Sequence, residues 1–213
     1  MTTSASPASG RKAQAARNDE AILAAARLVF IREPGAPVAA VAAEAGVGIS
    51  ALYRRYSGKE DLLQTLCREG LREFIAIARA AATGDGSAWD AFVTFIQGII
   101  DADVHSLTVH LAGTFPPTQE LRGLADEASK LAGGLLRKAK SAGAVRSDLH
   151  LNDLAMIFEQ LSAVHLPAAA RTRLLRRRYL QLHLDALRPG AATAALPGPP
   201  PTGDELGERW RPR

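Results

Sequence analysis

Apolar residues recur at intervals of three and four along most of this 213-residue chain, which is the spacing of helices with one buried face. The first such segment predicts a helix over about residues 19–32. Its apolar side is formed by Ile22, Ala25, Ala26, Val29 and Phe30. The chain lacks the period-two alternation typical of strands, and Gly or Pro punctuates the helical patterns. The sequence therefore predicts an all-α fold of about nine helices.

Composition shifts divide the chain into four parts. Residues 1–17 are small, polar and basic, and predict a flexible arm. Residues 189–213 contain the run LPGPPPTGDE and predict a disordered tail. Between them, residues 18–65 predict a small three-helix domain and residues 66–188 predict a larger helical domain.

The composition also excludes several classes of protein. No apolar run approaches the roughly 20 residues that cross a bilayer, so no membrane partner is expected. A single cysteine, Cys67, excludes an internal disulfide and favours the reducing cytoplasm. His105 and His110 lie five residues apart without cysteine support, so no metal is expected. Since neither a Ser/His/Asp constellation nor a Gly-rich phosphate loop is present, no enzyme and no cofactor are expected.

The most informative stretch is residues 37–63, PVAAVAAEAGVGISALYRRYSGKEDLL. Two short helical patterns are joined here by the residues GVG, and helices joined so closely must cross at short distance. Ala42 and Gly46 are the small and the flexible residue that such a crossing needs. An apolar seam is formed by Val41, Val47 and Leu52. The spacing over about residues 37–56 predicts a helix-turn-helix for a DNA major groove, although a plain αα-hairpin also shows it.

These residues resemble the DNA-binding domain of the TetR family of transcription regulators. The detailed resemblance covers about residues 17–65, and the string Ala-Gly-Val-Gly-Ile followed by Leu-Tyr-Arg resembles one common subgroup. Further along the chain, only the number and length of the helices resemble the family. The matching residues are Val41, Ala42, Ala45, Gly46, Val47, Leu52, Tyr53, Tyr56, Lys59, Glu60, Leu62 and Leu63.

The resemblance implies which residues bind DNA. Base edges would be touched by Gly48, Ile49, Ser50 and Ala51 at the start of the recognition helix. Phosphates would be held by Tyr53 and Lys59, with the DNA backbone or a base edge near Arg54 and Arg55. The start of the preceding helix would lie at a phosphate through Pro37, Val38 and Ala39. Tyr56 is expected to pack the small domain.

Two positions depart from the family pattern. The family usually has Thr or Ser at the start of the second helix, where Pro37 and Val38 stand here, and Pro37 has no backbone N–H for a phosphate. Gly48 replaces the usual Ser of the turn and removes a side-chain cap.

The family places a ligand cavity among the helices of the larger domain. An effector is therefore expected here, as an apolar organic molecule with a polar group facing a histidine. Most of the apolar candidates would serve equally well as core residues alone. The candidate pocket residues are Phe74, Ile77, Trp89, Phe92, Phe95, Ile99, His105, His110, Phe115, Phe158, Leu161 and His165.

The last helix, about residues 169–188, is apolar on two opposite sides, which predicts two packing partners. One is the domain core and the other is a second subunit, as the family resemblance also implies. The candidate dimer residues are Leu154, Phe158, Leu175, Tyr179, Leu180, Leu184 and Leu187. Its arginines are expected to form a solvated rim, comprising Arg171, Arg173, Arg176, Arg177 and Arg178.

The resemblance therefore implies a homodimeric regulator, expected to be a repressor. It would bind a near-palindromic double-stranded DNA operator and be released by a small-molecule effector. An architectural DNA-binding protein without a ligand is the alternative, and a helical enzyme is the alternative from another class.

Overall fold

A computed structural model of the protein describes residues 7–111 and 113–210, without the side chains of residues 7–17 and 108–110. Throughout this described part, the regular elements are helices, so the predicted all-α class is confirmed. None of these helices combines the length and the hydropathy that a membrane-spanning segment needs. The chain divides into two compact units between Leu66 and Cys67.

The first unit is a group of helices around an apolar centre. Its helices are α1 (Pro7–Arg32), α2 (Val38–Glu44), α3 (Ile49–Arg55) and the beginning of α4 (Lys59–Thr83). The centre is formed by Ile22, Ala26, Val29, Phe30, Val41, Leu52, Leu62 and Leu63, each at most 2% exposed. The side of α1 that the sequence predicts to be apolar is therefore the side that packs.

The first helix begins at Pro7 rather than near residue 19. Proline suits the first turn of a helix, because the N–H that it lacks would have no intrahelical partner there. The run AQAAR at residues 13–17 consists of strong helix formers, so propensity extends the helix backwards. From Pro7 onwards, the basic arm of the sequence is thus part of α1.

The turn between α2 and α3 depends on Gly46, whose φ is +65°. The N–H of Val47 donates to the carbonyl of Ala42 at 3.0 Å, and the N–H of Gly46 donates to that of Ala43 at 3.2 Å. This pair of hydrogen bonds is the Schellman motif, which ends a helix with one residue in the left-handed region. The chain is redirected within these few residues, and α3 starts after Gly48.

Replacing Gly46 should therefore destabilise the first unit. Gly46→Ala should lower the free energy of unfolding by about 1 kcal/mol, because a Cβ is unfavourable at positive φ even where it meets no neighbour. Gly35→Ala is the matched control, since Gly35 lies outside the left-handed region and its added Cβ would also meet nothing. Denaturant unfolding compares the two proteins, and equal stabilities would contradict this account of the turn.

The second unit is organised around α5 (Ala88–Ala102), which packs against most of the other helices of the unit. Ser87 and Asp90 form a capping box at its start. Its buried residues are Ala91, Phe92, Phe95, Ile96, Ile99 and Ile100. The further elements are α5 (Ala88–Ala102), α6 (Val104–Leu111), α7 (Gln119–Ser141), α8 (Leu151–Ser162), α9 (Ala169–Leu187), a 3-10 turn (Pro189–Ala191) and α10 (Gly203–Glu208).

A buried arginine lies beside the end of α8, which stops at Ser162. The guanidinium of Arg176 donates to the carbonyls of Ser162 and Val164, both at 3.0 Å. It also pairs with Asp103 at 2.5 Å. Arg176 is only 5% exposed, so it does not belong to the solvated rim predicted for the α9 arginines. Its partners compensate the burial of its charge.

The segment after α9 is folded as far as the structure describes it, whereas the sequence predicts disorder for residues 189–213. Two side chains from the α7–α8 loop bind its backbone. Arg146 Nη2 donates to the carbonyl of Ala194 at 2.8 Å, and the N–H of Leu196 donates to the Asp148 carboxylate at 2.9 Å. The prolines of this segment also restrict the unfolded chain, which makes its ordering less unfavourable.

Candidate nucleic-acid interface and ligand region

Helix α3 has one buried side and one solvent-facing side. Leu52 is fully buried, and its position determines which residues face outward. The outward residues are Ile49, Ser50, Tyr53 and Arg54, with Ile49 39% and Tyr53 55% exposed. Ala51 is half-buried. The start of α3 thus offers a small hydroxyl and an apolar side chain to a groove, and a phenol one turn later.

The last turn of α3 is tied to α1. Arg55 Nε lies 3.0 Å from Asp19 Oδ2, while the Arg55 side chain stays 62% exposed. Tyr56 is 4% exposed, which confirms that it packs the small domain. Burial raises the pKa of the Tyr56 phenol, and the charge of Asp19 adds to the rise. The sequence shows Asp19 only as an acid at a helix start, so this positioning residue is missed there.

Lys59 is bound within the first unit. Its ammonium donates to the carbonyl of Pro34 at 2.9 Å and lies 5.2 Å from the centre of the Phe30 ring. Burial lowers the pKa of Lys59, and the charge of Glu33 opposes this effect. Lys59 therefore connects the start of α4 to the α1–α2 loop and places a positive charge beside the chain that leads into α2.

The start of α2 corrects one candidate DNA contact. Pro37 and Ala39 are exposed, but Val38 is 7% exposed and packs in the apolar centre. The Val38 side chain is unavailable to a phosphate because the core already surrounds it. As Pro37 and Gly48 predict, neither α2 nor α3 has a side-chain hydrogen bond at its cap.

Four of the candidate pocket residues lie together in the second unit. The Phe95 ring is edge-on to Phe74, with centroids 5.5 Å apart, and edge-on to Phe158 at 6.3 Å. The His105 ring lies 5.6 Å from that of Phe158. We call Phe74, Phe95, Phe158 and His105 the aromatic cluster.

The other candidates are distributed differently. The ring centroids of Trp89 and Phe92 are 6.2 Å apart. The guanidinium carbon of Arg188 lies 3.7 Å from the Trp89 ring centroid. His165 is exposed and faces solvent, and the side chain of His110 lies outside the described residues. The Ile77 side chain packs directly on Gly98, and a Cβ added to Gly98 would lie 2.6 Å from Ile77 Cγ2. The remaining candidates are buried, namely Phe92, Ile99, Phe115 and Leu161.

His105 is the titratable member of the aromatic cluster. Burial lowers its pKa from 6.5 to about 4, while Glu159 raises it and Arg209 lowers it further. The cluster therefore contains a neutral imidazole near neutral pH. The sequence shows no signal that Arg209, in the tail, lies near this histidine.

The low pKa of His105 predicts a loss of stability in acid. Protonation favours the unfolded chain, so stability is fully present above pH 6.5 and is lost as the pH falls towards about 4. From about pH 7.5 to about pH 5, the free energy of unfolding should fall by about 2 kcal/mol through this group. Urea unfolding at several pH values measures this for the wild type, His105→Gln and the exposed control His165→Gln. Only in His105→Gln should the free energy of unfolding depend less steeply on pH. Identical pH profiles for all three would refute it.

The predicted dimer residues lie on two sides of α9 and on the core side of α8. Leu180, Leu184 and Leu187 on α9 are at most 6% exposed and belong to the core of their own subunit. Leu154 and Phe158 on α8 are in the same core. These five are corrected as interface candidates because their surface is already covered. Leu175 is half-buried and Tyr179 is 43% exposed, on the side that also exposes Leu174 (60%) and Leu182 (61%).

The fold and the exposed α3 define a class of protein, in which a helix-turn-helix unit precedes a larger helical unit. Residues 22–66 match the family model described as bacterial regulatory proteins, tetR family. Residues 87–189 match the model described as transcriptional regulator SbtR-like, C-terminal domain. The chain belongs to the TetR family of transcription regulators and carries its DNA-binding helix-turn-helix.

Solved structures have the same fold at low sequence identity. A TetR regulator of Mycobacterium vanbaalenii is 24% identical, with a TM-score of 0.56, and the match covers 83% of this chain and 98% of that one. One from Streptomyces coelicolor is 25% identical, with a TM-score of 0.55 and coverages of 82% and 99%. LfrR of Mycobacterium smegmatis, solved with proflavine, is 22% identical, with a TM-score of 0.62 and coverages of 85% and 99%. No curated protein matches the sequence.

Proposed function

We propose that this protein is a ligand-responsive repressor that binds a near-palindromic DNA operator as a homodimer. The exposed side of α3 carries the proposal, because Ile49, Ser50 and Tyr53 face outward while Leu52 anchors the helix. Membership of a family of transcription regulators supports the same function. The location proposed is the cytoplasm, where bacterial DNA is accessible.

Base reading and phosphate binding are assigned to different residues. Ser50 and Ala51 lie in the first turn of α3, the part of a recognition helix that approaches base edges. Tyr53 presents an exposed phenol for a phosphate. To contact a phosphate, the Lys59 ammonium would have to share its hydrogen bond to the Pro34 carbonyl or break it. The contribution of Lys59 to DNA affinity is therefore reduced by the loss of that bond.

Two substitutions on α3 should have different effects on DNA binding. Tyr53→Phe should weaken binding about tenfold, and equally on matched and mismatched duplexes, because a phosphate contact carries no sequence information. Ser50→Asn should instead change the preferred base at one position, by about 1–3 kcal/mol.

The measurement is selection of an operator from random duplexes, followed by titration of each variant. Thr83→Val removes an exposed hydroxyl in the second unit and is the control, which should bind like the wild type. An unchanged base preference in Ser50→Asn would show that the assigned register of α3 is wrong. Selection that returns no near-palindrome would contradict the proposed function.

The proposed dimer uses the exposed apolar side of α9. Leu174, Tyr179 and Leu182 lie on one side of this helix, and an apolar surface of this kind marks an interaction site. A two-fold axis through this surface would present two copies of α3 to DNA. On an ideal operator the copies would lie about one helical turn apart, roughly 34–36 Å.

Charging this surface should prevent assembly. Leu182→Asp should give monomers at micromolar concentration and lose operator affinity, since a buried unpaired carboxylate is strongly unfavourable at an interface. Leu196→Asp, at a leucine of similar character that is 42% exposed in the C-terminal segment, should remain dimeric. Sedimentation measures both proteins, and a soluble dimeric Leu182→Asp would place the interface elsewhere.

The response to a ligand is proposed for the second unit. The helix α4 runs without a break from Lys59 to Thr83, and its C-terminal part packs in the core that contains the aromatic cluster. A ligand that favours a different packing of Phe74 and Ile77 would favour a different placement of α4, with a coupling of about 1–3 kcal/mol. Two structurally similar proteins are LfrR with proflavine and a gamma-butyrolactone receptor, which supports a small organic effector.

A DNA-binding protein without a ligand is the second candidate. The close edge-on packing of Phe74, Phe95 and Phe158 favours this candidate, because the rings occupy the space that a ligand would need. A compound screen against the protein–operator complex separates the two. A molecule that stabilises the free protein and weakens operator binding supports the sensor.

A further inference from the structure

Helix α4 is joined to α7 by ion pairs along the solvent edge of the second unit. The carboxylate of Glu120 pairs with two arginines, at 3.1 Å from Arg68 Nε and at 3.5 Å from Arg72 Nη2. Further along α7, the carboxylate of Glu127 pairs with Arg79. We call these five residues the α4–α7 ladder, with one rung at Glu120 and the other at Glu127. All five belong to the second unit, so the ladder lies within one compact unit.

The two rungs of the ladder are in register. Arg72 and Arg79 are seven residues apart, as are Glu120 and Glu127, which corresponds to about two helical turns, or roughly 10 Å, on each helix. The two helices therefore run in the same direction along the ladder. Both rungs form together only where α4 and α7 keep this register.

The rungs respond differently to a shift of α4 along α7. The Glu120 rung has two arginines that are four residues apart and therefore lie one turn apart on the same side of α4. After a shift of one turn, about 5.4 Å, one of them would still lie near Glu120. The Glu127 rung would lose its arginine, because the residues one turn before and after Arg79 are Ile75 and Thr83. The Glu127 rung is therefore the one that selects the register.

These ion pairs are too weak to hold the fold together, but they can bias the position of α4. Their side chains are between 24% and 65% exposed, so each pair alone contributes little. The fold of the unit depends instead on its core, to which α4 contributes Ala78 and Ala81. A choice between two placements of a packed helix depends on a small difference in free energy, which a set of weak pairs can supply.

The placement of α4 in this structure is the one that leaves little room for an effector. The rings of Phe74, Phe95 and Phe158 occupy the space that a ligand would need. In the proposed repressor, the effector and the operator favour different placements of α4. The placement that excludes the effector is therefore the one that binds the operator, and it is also the placement in which both rungs are formed.

We infer that the α4–α7 ladder is a latch that holds α4 in its operator-binding placement. An effector must break the Glu127 rung to move α4 along α7, so the ladder raises the effector concentration at which the operator is released. This inference rests on the proposed function, because the latch acts on the movement of α4 that is proposed there.

Charge reversal and charge exchange in the full chain test the latch. Glu127→Arg should raise the Kd for the selected operator about three- to tenfold, although its added positive charge would by itself favour DNA. The exchanged pair Arg79→Glu/Glu127→Arg should return the Kd to within about twofold of the wild type, because the ion pair forms again with its charges reversed. Asp126→Arg is the matched control, since Asp126 is an exposed neighbour of Glu127 outside the ladder. This control changes the net charge equally and should not weaken operator binding.

A distance measurement reports the placement of α4 without DNA. Spin labels at Ala80→Cys and Ser141→Cys, two exposed positions on α4 and α7, give the distance between the helices by double electron–electron resonance. All these proteins carry Cys67→Ser, so that only the two introduced thiols react. Labelled protein is diluted with unlabelled protein, so that pairs within one chain are measured. Glu127→Arg should add a second distance, and the exchanged pair should remove it.

A single unchanged distance or a wild-type operator affinity in Glu127→Arg would overturn the latch, and so would an exchanged pair that restores neither. An equal loss of affinity in Asp126→Arg would overturn it too, because a general effect of charge would then explain the loss. If no operator is found, the proposed function fails, whereas the distance measurement still shows whether the ladder sets the placement of α4. The two failures are therefore distinguishable.

Discussion

The burial of Leu52 is the constraint on which the N-terminal unit depends. Helix α3 has seven residues and would not be stable in isolation, so packing rather than propensity sets its orientation. With Leu52 inward, Ser50 and Tyr53 must face outward. The positive φ of Gly46 allows the tight turn that orients α3. The ion pair between Arg55 and Asp19 connects the C-terminal end of α3 to α1. The DNA-facing surface is thus a consequence of how the unit forms its core.

Much of the fold could be predicted from sequence, because Gly, Pro and capping residues mark most of the helix ends. The early start of α1 was less visible, since residues 1–17 are polar in composition while part of the segment has strong helix propensity. The folding of residues 189–210 onto the second unit could not be predicted from the sequence. The Pro/Gly-rich composition of this segment is typical of disorder, and the side chains that bind it, Arg146 and Asp148, are distant in sequence.

The candidate site was predicted unevenly for a similar reason. The outward residues of α3 could be predicted from the helix-turn-helix pattern. The pattern also predicts Val38 as a DNA contact, but its side chain is buried in the core. For α9, periodicity identifies two apolar sides but cannot say which one faces inward. A charged residue on the inner side, Arg176, makes the inner side harder to recognise, because its partner Asp103 lies between α5 and α6, far away in the sequence.

The seat of Ile77 on Gly98 limits how the second unit can change shape. Because the Ile77 side chain already fills the space that a Cβ of Gly98 would take, α4 has little room to move towards α5. It can only slide along α5, turn about its own axis or lift away. Lifting would uncover apolar surface, so sliding and turning are the motions of lowest free energy. The position of one glycine therefore selects the direction of movement, and no residue that binds a ligand is needed for that selection.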